Sequence, residues 1–409
     1  MSRDSKTGSE GTDFRPPLDG LRVLDLTRIL VGPYCTQQLA DLGADVIKIE
    51  SPGIGDDTRR MKPPEQGGEA HFYLAFNRNK RSLTLNLKGD GALAVFEKLL
   101  GTCDVLVENF RPGVTKRLGI DYESLREKFP KLIYCSISAY GQTGSKSQLP
   151  GLDPVLQAEM GFMSLTGEPQ GPEMRHPLSL IDMFTSHYAT SGILAAVLVQ
   201  RERGIGQHID LSLMDGAITS LGNVAQYYLT SGMNPPRMGN SHVAAYPVGL
   251  FSASDGVFYL ACGTDRLFRT LCEKVLNAPL ADDSRFHTNS VRNQHRGALE
   301  RELTTRFGRH TTQHWLDKMR DAGVPGGPVR SVGDALESPE VIERELVRTI
   351  DHPTAGSLRV LGSPLRLSST PVAAAKAPPR LGEHSEAILR EVGLDSGDIA
   401  SLRDAGVLD

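Results

Sequence analysis

Short apolar segments alternate with longer segments of helical periodicity along the first 140 residues of the chain. The apolar segments have the length of strands, and they are Leu21–Thr27, Asp45–Glu50, Arg81–Leu87, Asp104–Asn109 and Leu132–Ser138. Between the first two, Pro33–Leu42 predicts a helix, because Gly43 follows it where glycine ends many helices. Strands that alternate with helices are typical of a parallel sheet covered by helices. The pattern therefore predicts an α/β fold with a doubly wound parallel sheet.

Beyond Pro150 the composition shifts toward glycine, methionine and small residues. The pattern there predicts a helix over Phe184–Gln200, a strand over 207–213 and another helix that begins at Asp215. From about 230 to 330 the alternation is less regular. The segment 370–381 is rich in proline and alanine, which predicts an extended conformation.

Length and composition narrow the class of protein. A chain of 409 residues is long enough for two domains with separate cores. The net charge of −4 gives no sign of a nucleic-acid partner. The polar start lacks the apolar core of a signal peptide, and no run of about 18 apolar residues predicts a membrane span. The five cysteines show no CxxC spacing. We therefore expect a soluble cytoplasmic enzyme with reduced thiols and no membrane partner.

Several common catalytic and binding motifs are missing from the sequence. The turn after the first strand reads LTRILVGP and lacks the glycines of a dinucleotide fingerprint. No phosphate-binding P-loop and no G-x-S-x-G nucleophile elbow occur. His310 and His314 have a spacing that can bind a metal, but no third ligand lies near in sequence, so we predict no metal site.

Asp182 has two interpretations that are compatible with each other. With Ser179 it forms an [ST]-x-x-[DE] pattern, which predicts a capping box at a helix start worth about 1 kcal/mol. A carboxylate at the positive end of a helix is also held ionised, and an ionised carboxylate is a nucleophile. Spacing alone does not choose between these interpretations.

An ordered set of segments resembles the family III CoA-transferases, the CaiB/BaiF-like acyl-CoA transferases, over residues 17–409. The segments are the opening stretch 17–59, NRNKRSLTLNL (77–87), DVLVENFRPG (104–113), LIYCSISAYGQTG (132–144), GLDPVLQAEMGFMSLTG (151–167), LIDMFTSHYATSGILAAVL (180–198), GQHIDLSLMDGA (206–217), GVPGGPV (323–329), DHPTAG (351–356) and LGEH (381–384). The family nucleophile matches Asp182. The pattern is most similar to members that transfer CoA from succinyl-CoA to a dicarboxylate.

The resemblance implies a covalent mechanism without a permanently bound cofactor, in which a coenzyme A thioester is a substrate. Asp182 attacks the thioester carbonyl to give a mixed anhydride and CoA thiolate. The thiolate returns to form an aspartyl-CoA thioester, the donor acid leaves, and a carboxylic acid acceptor reverses the sequence. The site must exclude water, because both intermediates hydrolyse. Since carboxylates are ordinarily deprotonated at neutral pH, Asp182 is expected to need no general base.

The resemblance also implies positions for substrate binding. The candidates for CoA contacts are Leu30, Val31, Asn79, Lys80, Asn109, Phe110, Arg117, Ile137 and Tyr140. An arginine that contacts the nucleotide in formyl-CoA enzymes is replaced here by Ser51, and the glycine-rich loop of those enzymes has no counterpart. For a second carboxylate of the acid, the candidates are Arg28, Arg237 and His242, because arginine and histidine form charge-assisted hydrogen bonds.

The family's architecture is an interlocked homodimer in which both ends of each chain build the large domain. We therefore expect a flexible tail over 1–16 and the first part of a large Rossmann-like CoA-binding domain over 17–225. A smaller α+β domain is expected over 226–330. A linker with a C-terminal return to the large domain is expected over 331–409.

Two alternatives remain beside CoA transfer. An α-methylacyl-CoA racemase shares the fold, but its G-H-D-I-N-Y segment reads Gly151–Leu156 here, with Leu152 in place of the catalytic histidine. Two-base chemistry then lacks one base. Asp153 remains, and we interpret it as a loop or helix-capping aspartate. The other alternative is a CoA-binding protein without catalysis, which the presence of Asp182 disfavours.

Overall fold

The computed structural model describes residues 15–409, so most of the predicted tail lies outside the described residues. The chain forms two compact units, and the first comprises residues 15–160, 177–222 and 342–409. Its centre is a six-stranded sheet in which every neighbouring pair is parallel. In order across the sheet the strands are β5 (Lys80–Thr84), β2 (Asp45–Glu50), β1 (Arg22–Asp25), β6 (Val105–Glu108), β7 (Ile133–Ser138) and β8 (Gln207–Ser212). The predicted parallel sheet is thus present.

Helices and two short hairpins complete the first unit. The helices are α1 (Val31–Asp41), α2 (His71–Phe76), α3 (Ala92–Leu100), α4 (Val114–Leu118), α5 (Tyr122–Leu125), α6 (Asp153–Glu159), α8 (Leu180–Arg203), α9 (Leu213–Ser220), α17 (Ser385–Glu391) and α18 (Ser396–Asp404). The hairpins are β3 (Glu65–Gln66) with β4 (Glu69–Ala70), and β12 (Val347–His352) with β13 (Gly356–Leu361). A 3₁₀ turn covers Asp57–Arg60.

The sheet is buried on both faces, as a parallel sheet requires. Leu24 and Ile47 point into an apolar cluster that also contains Phe96 of α3 and Ile388 of α17. Val23, Val46 and Val105, at alternate positions of the strands, are also fully buried. Because α17 and α18 follow residue 380, both ends of the chain build this unit.

The second unit comprises residues 161–176 and 223–341. The segment 161–176, which the sequence prediction placed in the large domain, groups with this unit. It holds an antiparallel sheet in the order β11 (Gly326–Pro328), β10 (Val257–Ala261) and β9 (Val248–Ser252). Its helices are α7 (Phe162–Leu165), α10 (Gly222–Ser231), α11 (Asp265–Thr270), α12 (Asn289–Gln294), α13 (Arg296–Phe307), α14 (Thr312–Ala322) and α15 (Val332–Leu336), with a π-helix at Leu271–Leu276 and a 3₁₀ turn at Pro279–Asp282. α16 (Pro339–Glu343) leads back into the first unit.

The core of the second unit is aromatic. Phe307 packs edge-on against Phe258 and Trp315, with ring centroids 5.0 and 5.2 Å apart. Arg292 is fully buried beside this core and donates to the carbonyls of Tyr246 and Phe286. Across residues 15–409, no helix combines the length and the apolar character needed to cross a membrane.

Candidate active site

Asp182 lies in the first turn of α8, a helix of 24 residues. The helix begins at Leu180, four residues before the predicted start at Phe184. Small residues let α8 pack closely against its neighbours. A Cβ on Gly216 of α9 would lie only 2.2 Å from the Thr185 hydroxyl, so only glycine fits at that contact. This close packing holds α8 against α9 one turn after Asp182.

The capping box predicted from Ser179 and Asp182 is absent, which corrects that interpretation. Ser179 is the N-cap residue, but its side chain makes no capping hydrogen bond. Instead, the Oδ2 atom of Asp153 accepts from the backbone N–H of Ile181 at 2.7 Å and of Asp182 at 3.2 Å. Asp153 begins α6 and is 3% exposed. The interpretation of Asp153 as a helix-capping residue is correct, and the helix it caps is the one that carries Asp182.

The protonation of Asp182 also differs from the expectation. Burial raises the pKa of its carboxyl group to about 7, and the negative charge of Asp153 adds to the increase. The expected effect of a helix N-terminus, a carboxylate held ionised at low pKa, is therefore outweighed by desolvation. Near neutral pH a substantial fraction of Asp182 is protonated, which corrects the view that it is simply ionised.

We therefore expect the acylation rate to fall below neutral pH. Only the ionised carboxylate attacks the thioester, so kcat/KM for the acyl-CoA donor should drop about tenfold per pH unit below about 7. Above that pH the rate should reach a plateau. Single-turnover kinetics with the donor alone measure this acid limb of the pH–rate profile, without interference from the titration of the acceptor acid. If the rate fell only near pH 4, Asp182 would titrate as a solvated carboxyl group.

The loop between β1 and α1 is held next to the turn of Asp182. The Ser186 hydroxyl lies 2.6 Å from the carbonyl oxygen of Val31 and 2.7 Å from that of Asp182, one helical turn earlier. Leu30 and Val31 are buried. The structure thus brings the predicted CoA-binding loop and the predicted nucleophile together at the carboxyl end of the sheet, where open α/β sheets bind ligands.

Polar side chains fix the strained backbone of this loop. Ile29 has a φ of 70°, which is unfavourable for a β-branched residue. Its N–H donates to Asp56, and the amide of Asn109 both accepts from the N–H of Arg28 and donates to its carbonyl, each at 2.8 Å. Asn109, a predicted CoA contact, therefore shapes the loop directly.

Buried charges lie beneath the same loop. Lys80 contacts Asp25 at 3.1 Å, and Lys48 contacts Asp56 at 2.9 Å while donating to the carbonyl of Thr27. Burial raises the pKa of Asp25, but Lys80 and Lys48 more than offset this and leave it at about 2. Burial lowers the pKa of Lys80 to about 8. This network was not predicted from the sequence, because its members are far apart along the chain.

Two of the predicted CoA contacts bind other parts of the protein. The ammonium group of Lys80 donates to Asp25, to the carbonyl of Pro33 and to Asn77, so its three protons are all used. Lys80 is therefore neither a solvated surface charge nor a free donor for CoA. Asn79 donates to Asp41 and accepts from the N–H of Lys376, which ties β5 to the C-terminal segment.

Other predicted contacts lie at strand ends or on the surface. Phe110 follows β6, and the guanidinium of Arg28 lies 5.6 Å from its ring centroid while donating to Ser51. Ile137 is buried within β7. The Tyr140 hydroxyl donates to Glu159 at 3.1 Å. Arg117 is exposed on α4. Within residues 15–409 no carboxylate forms an ion pair with Arg28, so its charge is available to an anionic ligand.

The remaining acid-binding candidates lie in the second unit. Arg237 donates to the carbonyls of Glu168 and Gly171 and pairs with Glu173 at 3.2 Å. It therefore organises the 168–173 loop, and most of its donors are used there. His242 accepts from the N–H of Ala244 and is exposed. Arg28 belongs to the first unit and is part of the β1–α1 loop.

The chain is similar to known proteins over most of its length. The chain belongs to a family of enzymes that transfer CoA, because the sequence model described as CoA-transferase family III matches residues 18–385. It is 39% identical to the succinyl-CoA:glutarate CoA-transferase of Homo sapiens over 98% of this chain and 93% of the human protein. It is 40% identical to the acetyl-CoA:oxalate CoA-transferase of Acetobacter aceti over 88% of this chain and 92% of that enzyme. A crystal structure of a CaiB/BaiF family protein from Brucella suis superposes with a TM-score of 0.84 at 39% identity, covering 92% of this chain and all of that one.

Proposed function

We propose that this CoA-transferase moves CoA from succinyl-CoA to a dicarboxylic acid, with Asp182 as the covalent nucleophile. The observation that carries the proposal is the junction of Asp182 with the β1–α1 loop through Ser186. A CoA thioester bound along that loop would present its carbonyl to the first turn of α8. The Oδ atom of Asp182 attacks this carbonyl, the C–S bond breaks, and the CoA thiolate leaves.

No proton transfer is needed in this step once Asp182 is ionised. The attack converts an anionic carboxylate into a neutral anhydride and releases the charge on sulfur. The thiolate then attacks the aspartyl carbonyl and displaces the donor acid as a carboxylate. Partial burial of Asp182 supports the proposal, because a carboxylate with little water around it is a better nucleophile and its acyl derivatives hydrolyse more slowly.

Relatives support a dicarboxylate acceptor. The human relative is named for glutarate and the Acetobacter relative for oxalate, and both of these acids are dicarboxylates. Their donors differ, since one is named for succinyl-CoA and the other for acetyl-CoA. The guanidinium of Arg28, which forms an ion pair with no carboxylate among residues 15–409, supports an acid with a second carboxylate, since bidentate arginine pairs are strong and directional.

A donor and acceptor panel tests the proposal. Exchange of labelled succinate into succinyl-CoA requires no acceptor to be guessed, and it should occur with the wild-type enzyme. Glutarate should exceed butyrate, which lacks the second carboxylate, by about 10-fold or more in kcat/KM, and Arg28→Gln should reduce that ratio, because removing one charged hydrogen bond costs about 1.5–3 kcal/mol. Equal rates for glutarate and butyrate would contradict the proposal of a dicarboxylate acceptor. Faster CoA transfer from acetyl-CoA than from succinyl-CoA would contradict the proposal of succinyl-CoA as the donor.

The alternative chemistries receive less support from the site. Asp153 accepts from two backbone N–H groups and from Gln157, so its carboxylate is occupied and does not act as a free base. Leu152, in place of the racemase histidine, is 66% exposed. Loss of α-hydrogen label from a 2-methylacyl-CoA would indicate racemisation, and CoA binding without exchange or label loss would indicate a non-catalytic protein.

The interlocked homodimer remains a prediction.

A further inference from the structure

The nucleophile-bearing turn of α8 is held by a carboxylate from a different helix. Asp153 accepts from the N–H of Asp182 itself and from that of Ile181, while its other oxygen accepts from Gln157 at 2.6 Å. Gln157 also donates to the carbonyl of Leu178, just before α8. Asp153 and Gln157 are both buried. The turn is therefore fixed from outside, at the residue that the proposed chemistry uses.

We propose that Asp153 is a positioning residue for CoA transfer, which aims the Asp182 carboxylate and whose negative charge favours the covalent aspartyl intermediates. This inference rests on the proposed role of Asp182 as nucleophile. Its first part follows from the hydrogen bonds, because a cap on the N–H of Asp182 restrains the backbone from which the reacting side chain extends. A misplacement of about 1 Å costs on the order of 10²-fold in rate.

The second part follows from charge. In the free enzyme the Asp153 carboxylate lies 3.2 Å from the backbone nitrogen of Asp182, and its negative charge raises the free energy of the ionised Asp182 side chain. When Asp182 becomes an anhydride or a thioester it loses its charge, while Asp153 keeps its own. The repulsion is then relieved, so the acylated enzyme gains stability relative to the free carboxylate. The charge of Asp153 takes no part in the C–S bond that breaks or the C–O bond that forms; it changes the equilibrium between the free and the acylated enzyme.

The neighbouring helices contribute no opposing charge to Asp182. The titratable groups on the elements packed against α8 are Asp153 and Glu159 on α6, Asp215 on α9, Tyr34, Cys35 and Asp41 on α1, Tyr134 and Cys135 on β7, and His208 and Asp210 on β8. Glu159 pairs with Lys146, Asp41 pairs with Arg78, and Asp215 closes the cap of its own helix. Of the charged residues in the described part of the chain, Asp153 is the one that shifts the pKa of Asp182.

Asp153→Asn tests the charge, because asparagine keeps an acceptor for the two N–H groups. The acid limb of single-turnover acylation should move to lower pH by about one unit. At pH 8.5 and a fixed ratio of succinyl-CoA to succinate, the fraction of enzyme that carries CoA, measured by intact mass, should fall relative to free enzyme by a similar factor of about 10. The two factors should agree, since one interaction sets both.

Asp153→Ala removes the cap as well and should add about 10²-fold loss in the plateau rate. Glu202→Gln, on the exposed far end of α8, is the matched control and should change neither the limb nor the adduct. The inference would be overturned if folded Asp153→Asn kept the acid limb of acylation at the wild-type pH and carried CoA on the same fraction of enzyme as the wild type. If wild-type enzyme formed no adduct on Asp182, the proposed function itself would fail, and that result is distinct from a normal adduct that Asp153 does not affect.

Discussion

Asp182→Asn is expected to reduce succinyl-CoA-dependent CoA transfer by at least about 10⁴-fold in kcat/KM, because the amide cannot form the anhydride or the thioester. Exchange of labelled succinate into succinyl-CoA should disappear to the same extent. Wild-type enzyme incubated with succinyl-CoA should carry CoA on the peptide that contains Asp182, and hydroxylamine should release it. The variant should carry none.

The folded state of Asp182→Asn supplies an internal check on this result. The folded-state pKa of Asp182 is raised to about 7 from its ordinary 3.8. The free energy of unfolding therefore falls as the pH rises from 3.8 to about 7, because the unfolded chain ionises this group before the folded protein does. Asparagine should therefore raise the free energy of unfolding at pH 8 by about 1–3 kcal/mol. The gain should shrink as the pH falls through 7 and vanish below 3.8. Inactivity with unchanged or higher stability separates a lost nucleophile from a damaged fold.

Asp404→Asn is a suitable control for both measurements. Asp404 is exposed near the end of α18 and lies outside the proposed site. It should retain full exchange activity and ordinary stability. If Asp182→Asn kept exchange within about tenfold of the wild-type rate, another residue would have to carry the CoA, and the proposed mechanism would be wrong.

Asp25→Asn is expected to lower the free energy of unfolding by about 3–5 kcal/mol, because it removes the counter-charge of two buried lysines. The Asp25 carboxylate accepts from Thr27, from Thr36 and from Lys80, at distances between 2.5 and 3.1 Å. Its pKa of about 2 means that the carboxylate is ionised throughout the neutral range. Asparagine keeps the shape but leaves the charges of Lys80 and Lys48 without full compensation.

Urea unfolding followed by far-UV circular dichroism measures this loss. Hydrogen exchange of peptides that cover β1 and β5 should show where the protection falls. Trp315, the single tryptophan, reports on the second unit and serves as a reference for unfolding elsewhere. Asp57→Asn removes an exposed pair with Arg60 and should cost no more than about 1 kcal/mol. A loss below 1 kcal/mol in Asp25→Asn would contradict the view that this pair holds the sheet beneath the loop.

The strands and the family were readable from local patterns. The predicted strand Asp45–Glu50 matches β2 residue for residue, since it is rich in β-branched residues and is bounded by turn signals at Gly43 and Pro52. Helical periodicity placed the start of α8 at Phe184, four residues late, whereas the pattern of Ser179 and Asp182 marked the N-cap residue correctly. That error has a physical cause: the first turn of α8 is stabilised by a carboxylate distant in sequence and not by a side chain of its own.

Lys80, at the candidate site, is a second residue whose surroundings could not be predicted from its neighbours in the sequence. In the sequence it stands in a polar run, NRNK, which suggested either a solvated charge or a CoA contact. In the fold it is buried against Asp25 and Pro33, because β1, β2 and β5 are neighbours in the sheet. Strand order brings these groups together, and strand order is not a local property.

For Asp182, the sequence by itself determined that a carboxylate stands near the start of a long helix and within an ordered set of family motifs. Local pattern and resemblance contain that much, because both depend on residues close together along the chain. The tertiary structure alone decided that Asp153 caps this helix, that Ser186 joins it to the β1–α1 loop, and that the carboxyl group titrates near neutral pH. Each of these depends on burial and on distances between residues about 30 to 150 positions apart, which no local pattern specifies.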